Sequence, residues 1–383
     1  MRRCTTLLFF AGCGFSSPGG APDAPITPMI DAAVDAPVPI GPDAAVCVAG
    51  VIDVCAMPPP AMGFDVSTMA MVNTDRDTRC KPVNLAGHDV CLIYVTEVTI
   101  AASGTLTVTG GKPLALVSAS TMGIAGAIDA GSHNPQVGPA ADDTSCGFTA
   151  NPQNDGGGAG GAAGGGLTLA GGDGGIGDTN KTTGGSGATG GTHGPVVLSP
   201  VLRGGCRGQK GGDEQHGFMG GAGGHGGGAL YLAARQSVTV MLTGSIRATG
   251  AGGAGGQSQS GGGGGGSGGM IVIESASITV SGQISANGGG GGQGGGRLLN
   301  GDNVSGVAGT DGALGTIPAP GGFGADNNDA QFSTGGVGGA GTTAAGRGTD
   351  STVGGGGGGG AAGVVRLLGA TALTGSTISP PPS

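Results

Sequence analysis

The distribution of glycine constrains this chain more than any other feature. Runs such as Gly261–Gly266 and Gly354–Gly360 alternate with short segments rich in Ile, Leu and Val. Glycine lacks a Cβ and loses more backbone freedom on folding than other residues, costing ~1 kcal/mol in a helix interior relative to Ala. With 96 Gly among 383 residues, a helical bundle or coiled coil is excluded. A collagen helix is excluded too, because Gly does not recur at every third position. No stretch of about 20 apolar residues is available for a membrane-spanning helix. The formal net charge of −9 argues against nucleic acid as an electrostatic partner.

The segments between the glycines repeat. Gly228-Ala229-Leu230-Tyr231-Leu232, Val238-Thr239-Val240 and Gly244-Ser245-Ile246-Arg247 match Gly269-Met270-Ile271-Val272-Ile273, Ile278-Thr279-Val280 and Gly282-Gln283-Ile284-Ser285. An earlier copy runs through Pro113–Val117, Met122–Ile124 and Gly126–Asp129, and a weaker one through Gly363–Leu367, Ala372-Leu373 and Gly375–Ile378. Glu97–Ile100 and Gly104–Gly110 read as the end of a preceding unit. Each run alternates with period two, the pattern of half-buried strands. Three strands per repeat predict an all-β fold, a right-handed parallel β-helix (solenoid) of few coils whose inward Ile, Leu and Val stack in ladders.

Long glycine-rich inserts follow the G-x-I strand in three copies: 131–228, 250–269 and 287–363. In-register coils would send all three from one corner and lay them side by side. Two outcomes are open: loose, disordered loops, or extended chains packed as closely as only Gly allows. The second resembles the polyglycine-II bundles of a Gly-rich antifreeze protein and of phage tail adhesins.

The first residues, Met1-Arg2-Arg3 followed by an apolar run to Ala11-Gly12-Cys13, have the layout of an export signal. The ending resembles a bacterial lipobox. That resemblance implies a signal peptide over 1–12, lipidation of Cys13 and, with Gly14 after it, placement in the outer-membrane lipid. Residues 13–46 are rich in Pro, Ala and Asp without apolar period, and read as a semi-rigid linker. With Cys4 and Cys13 set aside, six cysteines remain, an even number that suits an oxidising compartment and disulfides. Of 15 connectivities, loop closure favours Cys47–Cys55, Cys80–Cys91 and Cys146–Cys206. Residues 47–95 then read as a disulfide-containing cap and 96–380 as the glycine-rich solenoid.

Taken together, the small-residue lipobox, the Asp/Ala/Pro linker, the paired cysteines and the pattern Gly104–Gly110, Pro113-Leu114, Gly126–Asp129 resemble glycine-rich bacterial surface lipoproteins with a β-helix-like core. The resemblance implies a cell-surface location and carries over no catalytic residue.

The residues offer little chemistry. In so glycine-rich a chain, G-x-G-x-x-G arises by chance, and no cofactor motif stands out. Gly171–Asp178 partly matches a calcium-binding β-roll repeat, but Ile176 occupies an expected Asp position. Asp302, Asp311, Asp326 and Asp329 are weak calcium candidates, supplying only carboxylate oxygens in one insert. Asp213-Glu214-Gln215-His216 with His225 is the densest titratable cluster, and His88, His133 and His193 are dispersed. Glu97, Glu274, Arg247 and Arg366 look isolated on outward strand positions. The expectation is a non-catalytic, lipid-anchored structural or adhesive protein contacting a glycan, a matrix or another cell. The alternative is a β-helical carbohydrate-active enzyme, lyase- or hydrolase-like, which would need converging carboxylates.

Overall fold

The computed structural model describes residues 51–53, 57–85, 87–143, 145–180, 191–192, 202–297, 302–324 and 333–383. The expected signal peptide, linker, Cys13, Cys47, Cys55, His193, Asp326 and Asp329 lie outside the described residues. Among the described residues the fold is all-β without a helix, and its two large sheets are almost wholly parallel. Among the described residues, no helix is long and apolar enough to cross a membrane.

The strands are β1 (Phe64–Val66), β2 (Met69–Asn73), β3 (Lys81–Leu85), β4 (His88–Val95), β5 (Val98–Ile100), β6 (Thr105–Thr109), β7 (Leu114–Ser118), β8 (Thr121–Ile124) and β9 (Ala127–Asp129). Two short strands follow, β10 (Gly147–Phe148) and β11 (Gly191–Thr192), then β12 (Ala229–Val240), β13 (Ser245–Arg247), β14 (Met270–Val280) and β15 (Gln283–Ser285). The last are β16 (Gly296–Arg297), β17 (Asn303–Val304), β18 (Val364–Leu373) and β19 (Thr377–Ser379). A nine-stranded sheet runs β1-β5-β8-β12-β7-β4-β3, with β14 and β18 following β12; a six-stranded sheet runs β19-β15-β13-β9-β6-β2.

The register follows the sequence repeat. Leu230 pairs with Leu114 and Ile271, which in turn pairs with Val365. Val240 pairs with Ile124 and Val280. In the second sheet, Ile246 pairs with Ile128 and Ile284, and Ile284 with Ile378. These ladders meet between the two sheets in one apolar core. Burying each such side chain contributes on the order of 1.5–3 kcal/mol. The sheets also extend back through the region expected to be a cap, to Phe64.

One strand pattern differs from expectation. The runs of the second sheet alternate, as in Thr105–Thr109, but Leu114–Ser118 is buried at every position. The part of the nine-stranded sheet built from β4, β7 and the first halves of β12 and β14 is covered on both faces: Val90, Leu92, Val117, Tyr231 and Val272 form a second cluster with Ile52, Leu167 and Leu202. A sheet buried twice needs apolar residues at both parities.

The glycine inserts leave from stacked positions. Ala130, Ala248 and Ala286 directly follow β9, β13 and β15, and their N–H groups donate to Arg247, Ser285 and Ser379 of the next strand. Beyond them the tracts form an ordered bundle. In 261–269, the N–H groups of Gly261, Gly264 and Ser267 donate to Gly212, Gln209 and Cys206. Those of Gly262, Gly265 and Gly268 donate to Gly355, Gly358 and Ala361. Those of Gly263, Gly266 and Gly269 donate to Ala254, Ala251 and Ala248. The carbonyls accept from three further runs: Gly221, Gly224 and Gly227; Ala162 and Gly165; Gly289 and Gly292. Six neighbours thus surround one chain, each engaged at every third residue. A three-residue period without internal hydrogen bonds is that of the polyproline II conformation.

Glycine is required by proximity. A Cβ on Gly264 would lie 1.9 Å from the Ala163 carbonyl oxygen. Across Gly261–Gly266 the nearest carbonyl oxygen would stand at 1.9–2.2 Å. Gly264→Ala should therefore destabilise the fold by about 1–3 kcal/mol, the cost of overpacking. Gly147, whose added Cβ meets nothing within 4 Å, should tolerate Ala to within about 0.5 kcal/mol. Denaturant unfolding of both variants checks the contrast.

Candidate functional site

A polar junction lies where the inserts meet the six-stranded sheet. Asp129, at the end of β9, pairs in register with Arg247 of β13, and Arg247 Nε stands 3.6 Å from the carboxylate. His133, on the first insert, reaches Asp129 Oδ1 with Nε2 at 3.4 Å and Asp311 Oδ2 with Nδ1 at 3.1 Å. Asp311 belongs to the third insert, and its other oxygen accepts from Gly252 N of the second at 2.9 Å. One cluster therefore joins the sheet to all three inserts.

Its electrostatics follow from this geometry. Hydrogen bonds to Asp129 and Asp311 outweigh burial and raise His133 from 6.5 to about 9. Burial pushes Asp129 up, but the His133 bond and the Arg247 charge hold it below its ordinary value. Burial also opposes ionisation of Asp311, which the His133 and Gly252 bonds overcome. With both ring nitrogens committed to carboxylates, His133 is poorly placed to act as a general base.

A second set of polar ties lies alongside. Asn287 Nδ2 donates to the carbonyls of Ala313 and Gly315, both at 2.7 Å, and Ser379 Oγ donates to Asn287 Oδ1 at 2.5 Å. Gly341 N donates to Ser379 Oγ at 2.7 Å. On the outer face of the nine-stranded sheet, the Tyr231 hydroxyl donates to Glu274 Oε2 at 2.7 Å, and Val51 N donates to the same oxygen at 3.2 Å. Burial first, and then the Glu274 carboxylate, drive the Tyr231 pKa upward.

Among the described residues two disulfides are formed, Cys80–Cys91 and Cys146–Cys206, as loop closure predicted. Cys80–Cys91 staples the antiparallel pair β3–β4, and Cys146–Cys206 ties the start of the first insert to the bundle. Arg203 Nη2 lies 3.4 and 3.5 Å from the sulfurs of the second bridge. Beside it is a cleft of about 310 Å³ lined by His88, Asp89, Lys112, Asp142, Asp143 and Arg203. Asp142 is already engaged, accepting from Gly226 N at 2.9 Å and facing His225 Nδ1 at 2.5 Å. Asp143 stays low despite burial because Ser145 donates to it and Arg203 and His88 lie near.

The sequence candidates among the described residues do not converge. Asp311 is a cross-link, while Asp302 precedes β17 at the other end of a straight run bonded along Gly256, Gly253 and Gly250. Among the described residues, no group of three or more His, Cys, Asp or Glu is placed to hold a metal ion. The Asp213–His216 cluster is local: Glu214 meets His216 Nδ1, Lys210 meets Asp213, and His225 turns to Asp142 instead. Glu274 and Arg247, expected to be isolated, are both engaged. The Asp129–Arg247 pair was readable, since aligning the repeats puts both residues at one position; His133 and Asp311 lie in the inserts, where no repeat aligns them. Comparison with protein-family models, curated proteins and solved structures finds no match to this chain.

The bridge around His133 predicts a pH profile. The raised His133 pKa means its contribution is complete below pH 6.5 and is lost as pH rises through about 9. The lowered Asp129 and Asp311 contribute above 3.8 and lose that contribution as the medium becomes more acid. The wild type should lose melting temperature as pH rises toward 9, and His133→Gln should remove that loss. Parallel wild-type and variant curves across pH 6.5–9 would contradict the bridge.

Proposed function

We propose that the two stacked sheets form a right-handed parallel β-helix carrying a polyglycine-II-like bundle, and that the protein is a structural or adhesive component of a bacterial cell surface. Lipidation at Cys13 would hold it in the outer membrane, and the Pro/Ala/Asp linker would space the folded part from the lipid. The chain would act without catalysis, presenting the bundle to a glycan, a matrix or another cell.

The observation that carries this reading is the packing of 261–269 among six other runs, which makes the inserts a rigid slab. Rigid surfaces lose little entropy on contact. The slab also exposes apolar side chains on its third insert, Ile317 at 76% and Phe323 at 73%. Neighbouring backbones bring this run beside 307–310 and 335–338. The charged groups of the His133 bridge and of the Tyr231–Glu274 pair are committed to internal ties, which supports a scaffold over an enzyme. The two disulfides suit an exported protein.

A glycan array and a cell-binding assay with the purified protein test the role. Binding that drops several-fold in Ile317→Ser/Phe323→Ser is expected. Turnover of a polysaccharide without such binding would replace the reading with the carbohydrate-active enzyme. Palmitate labelling should be lost in Cys13→Ser, and unchanged labelling would refute the anchor.

A further inference from the structure

We propose that the C-terminal end of the sheets pairs with the same end of a second copy of this chain, through edge strand β18. The proposal is independent of the surface role. Among the described residues, β12 and β14 have parallel neighbours on both sides, whereas β18 pairs with β14 alone. The consequence is visible along one ladder. Ile124, Val240 and Val280 are fully buried, but Leu373, the next residue in that row, is 53% exposed. Leu368 is 38% exposed, and the residues between the two are exposed as well. The chain end returns to this edge at Val365, whose carbonyl accepts from Ser383 N at 3.0 Å. Among the described residues, no strand covers the open side of Leu368–Leu373.

The opposite end is built differently. There β3 lies antiparallel to β4, is stapled by Cys80–Cys91, and carries Lys81 and Pro82. Proline offers no N–H, and a lysine resists burial, so this edge rejects a further strand. The row of Leu373 ends on that side in β1, which pairs with β5. Stacking one copy head-to-tail on another would still bring the first half of β18 against the guarded β3, which disfavours an open filament. An antiparallel pair of β18 strands about a two-fold axis has no such obstacle. Each strand supplies the hydrogen-bonding partners the other lacks, and the contact closes at two copies.

Charge points to the same occupant. The chain carries −9 overall, so identical copies repel over most of their surface. Residues 367–383 carry no charged side chain. Pairing there also continues the strand-to-strand ladder that already joins β12, β14 and β18, and places Leu373 and its mate in a shared core.

Sedimentation velocity of the full chain, taken up to roughly 100 µM, reads the outcome. A reversible monomer–dimer equilibrium with nothing larger is expected. Ala370→Lys/Ala372→Lys should weaken it by at least about tenfold with the melting temperature retained, because lysines guard an edge. Lys81→Ala at the other end should leave it unchanged. A monomeric wild type, a dimer indifferent to the β18 lysines, or growth beyond two copies would each overturn the proposal.

Discussion

A buried peptide group must find a hydrogen-bond partner, and most proteins meet that need with helices or sheets. In this chain much of the buried backbone does neither. The run 261–269 directs its N–H groups to three neighbours in turn and receives donors from three more. That arrangement satisfies backbone groups in all directions around an extended chain, where a sheet satisfies them in a plane. Its condition is that backbones touch, and at Gly264 the space a Cβ would need is already taken by the Ala163 carbonyl. The unusual composition is thus a consequence of how these peptide groups are paired.

The bundle depends on the sheets for alignment. Fixing glycine backbone is costly in entropy, on the order of 1–2 kcal/mol per residue, and no side-chain burial compensates for it. The apolar ladders stack β9, β13 and β15 in register, so the inserts start at Ala130, Ala248 and Ala286 in adjacent rungs. The first legs of the second and third inserts then run parallel, with Gly250, Gly253 and Gly256 donating to Asn287, Gly290 and Gln293. The His133 bridge, the Asn287–Ser379 ties and the Cys146–Cys206 disulfide fasten the inserts to one another and to the sheet edge. The Cys146–Cys206 bridge, spanning 60 residues of chain, removes a large share of the freedom of the unfolded first insert.

The sheet register was legible in the sequence because identical apolar positions recur: Leu230 with Ile271, Val240 with Val280, Ile246 with Ile284. The burial of β7 on both faces was not, since its cover comes from Ile52, Leu167 and Leu202, far away in the chain. The packing of the inserts was left open between order and disorder, because a glycine tract carries no side-chain pattern from which partners can be read. Partner choice there depends on which carbonyls lie within reach, a three-dimensional property. The same reason hid the His133–Asp311 contact, which joins two inserts that share no repeat. The two described disulfides were legible because near-neighbour closure is cheap and each pair lies where a strand pairing or an insert brings it together.

Amide hydrogen exchange resolved at Gly261–Gly269 tests the packed-glycine account most directly. The account predicts protection comparable to that of β12 and β14, because these N–H groups are bonded inside the bundle and open only with the fold. Exchange at the rate of an unstructured chain, while β12 and β14 remain protected, would contradict it.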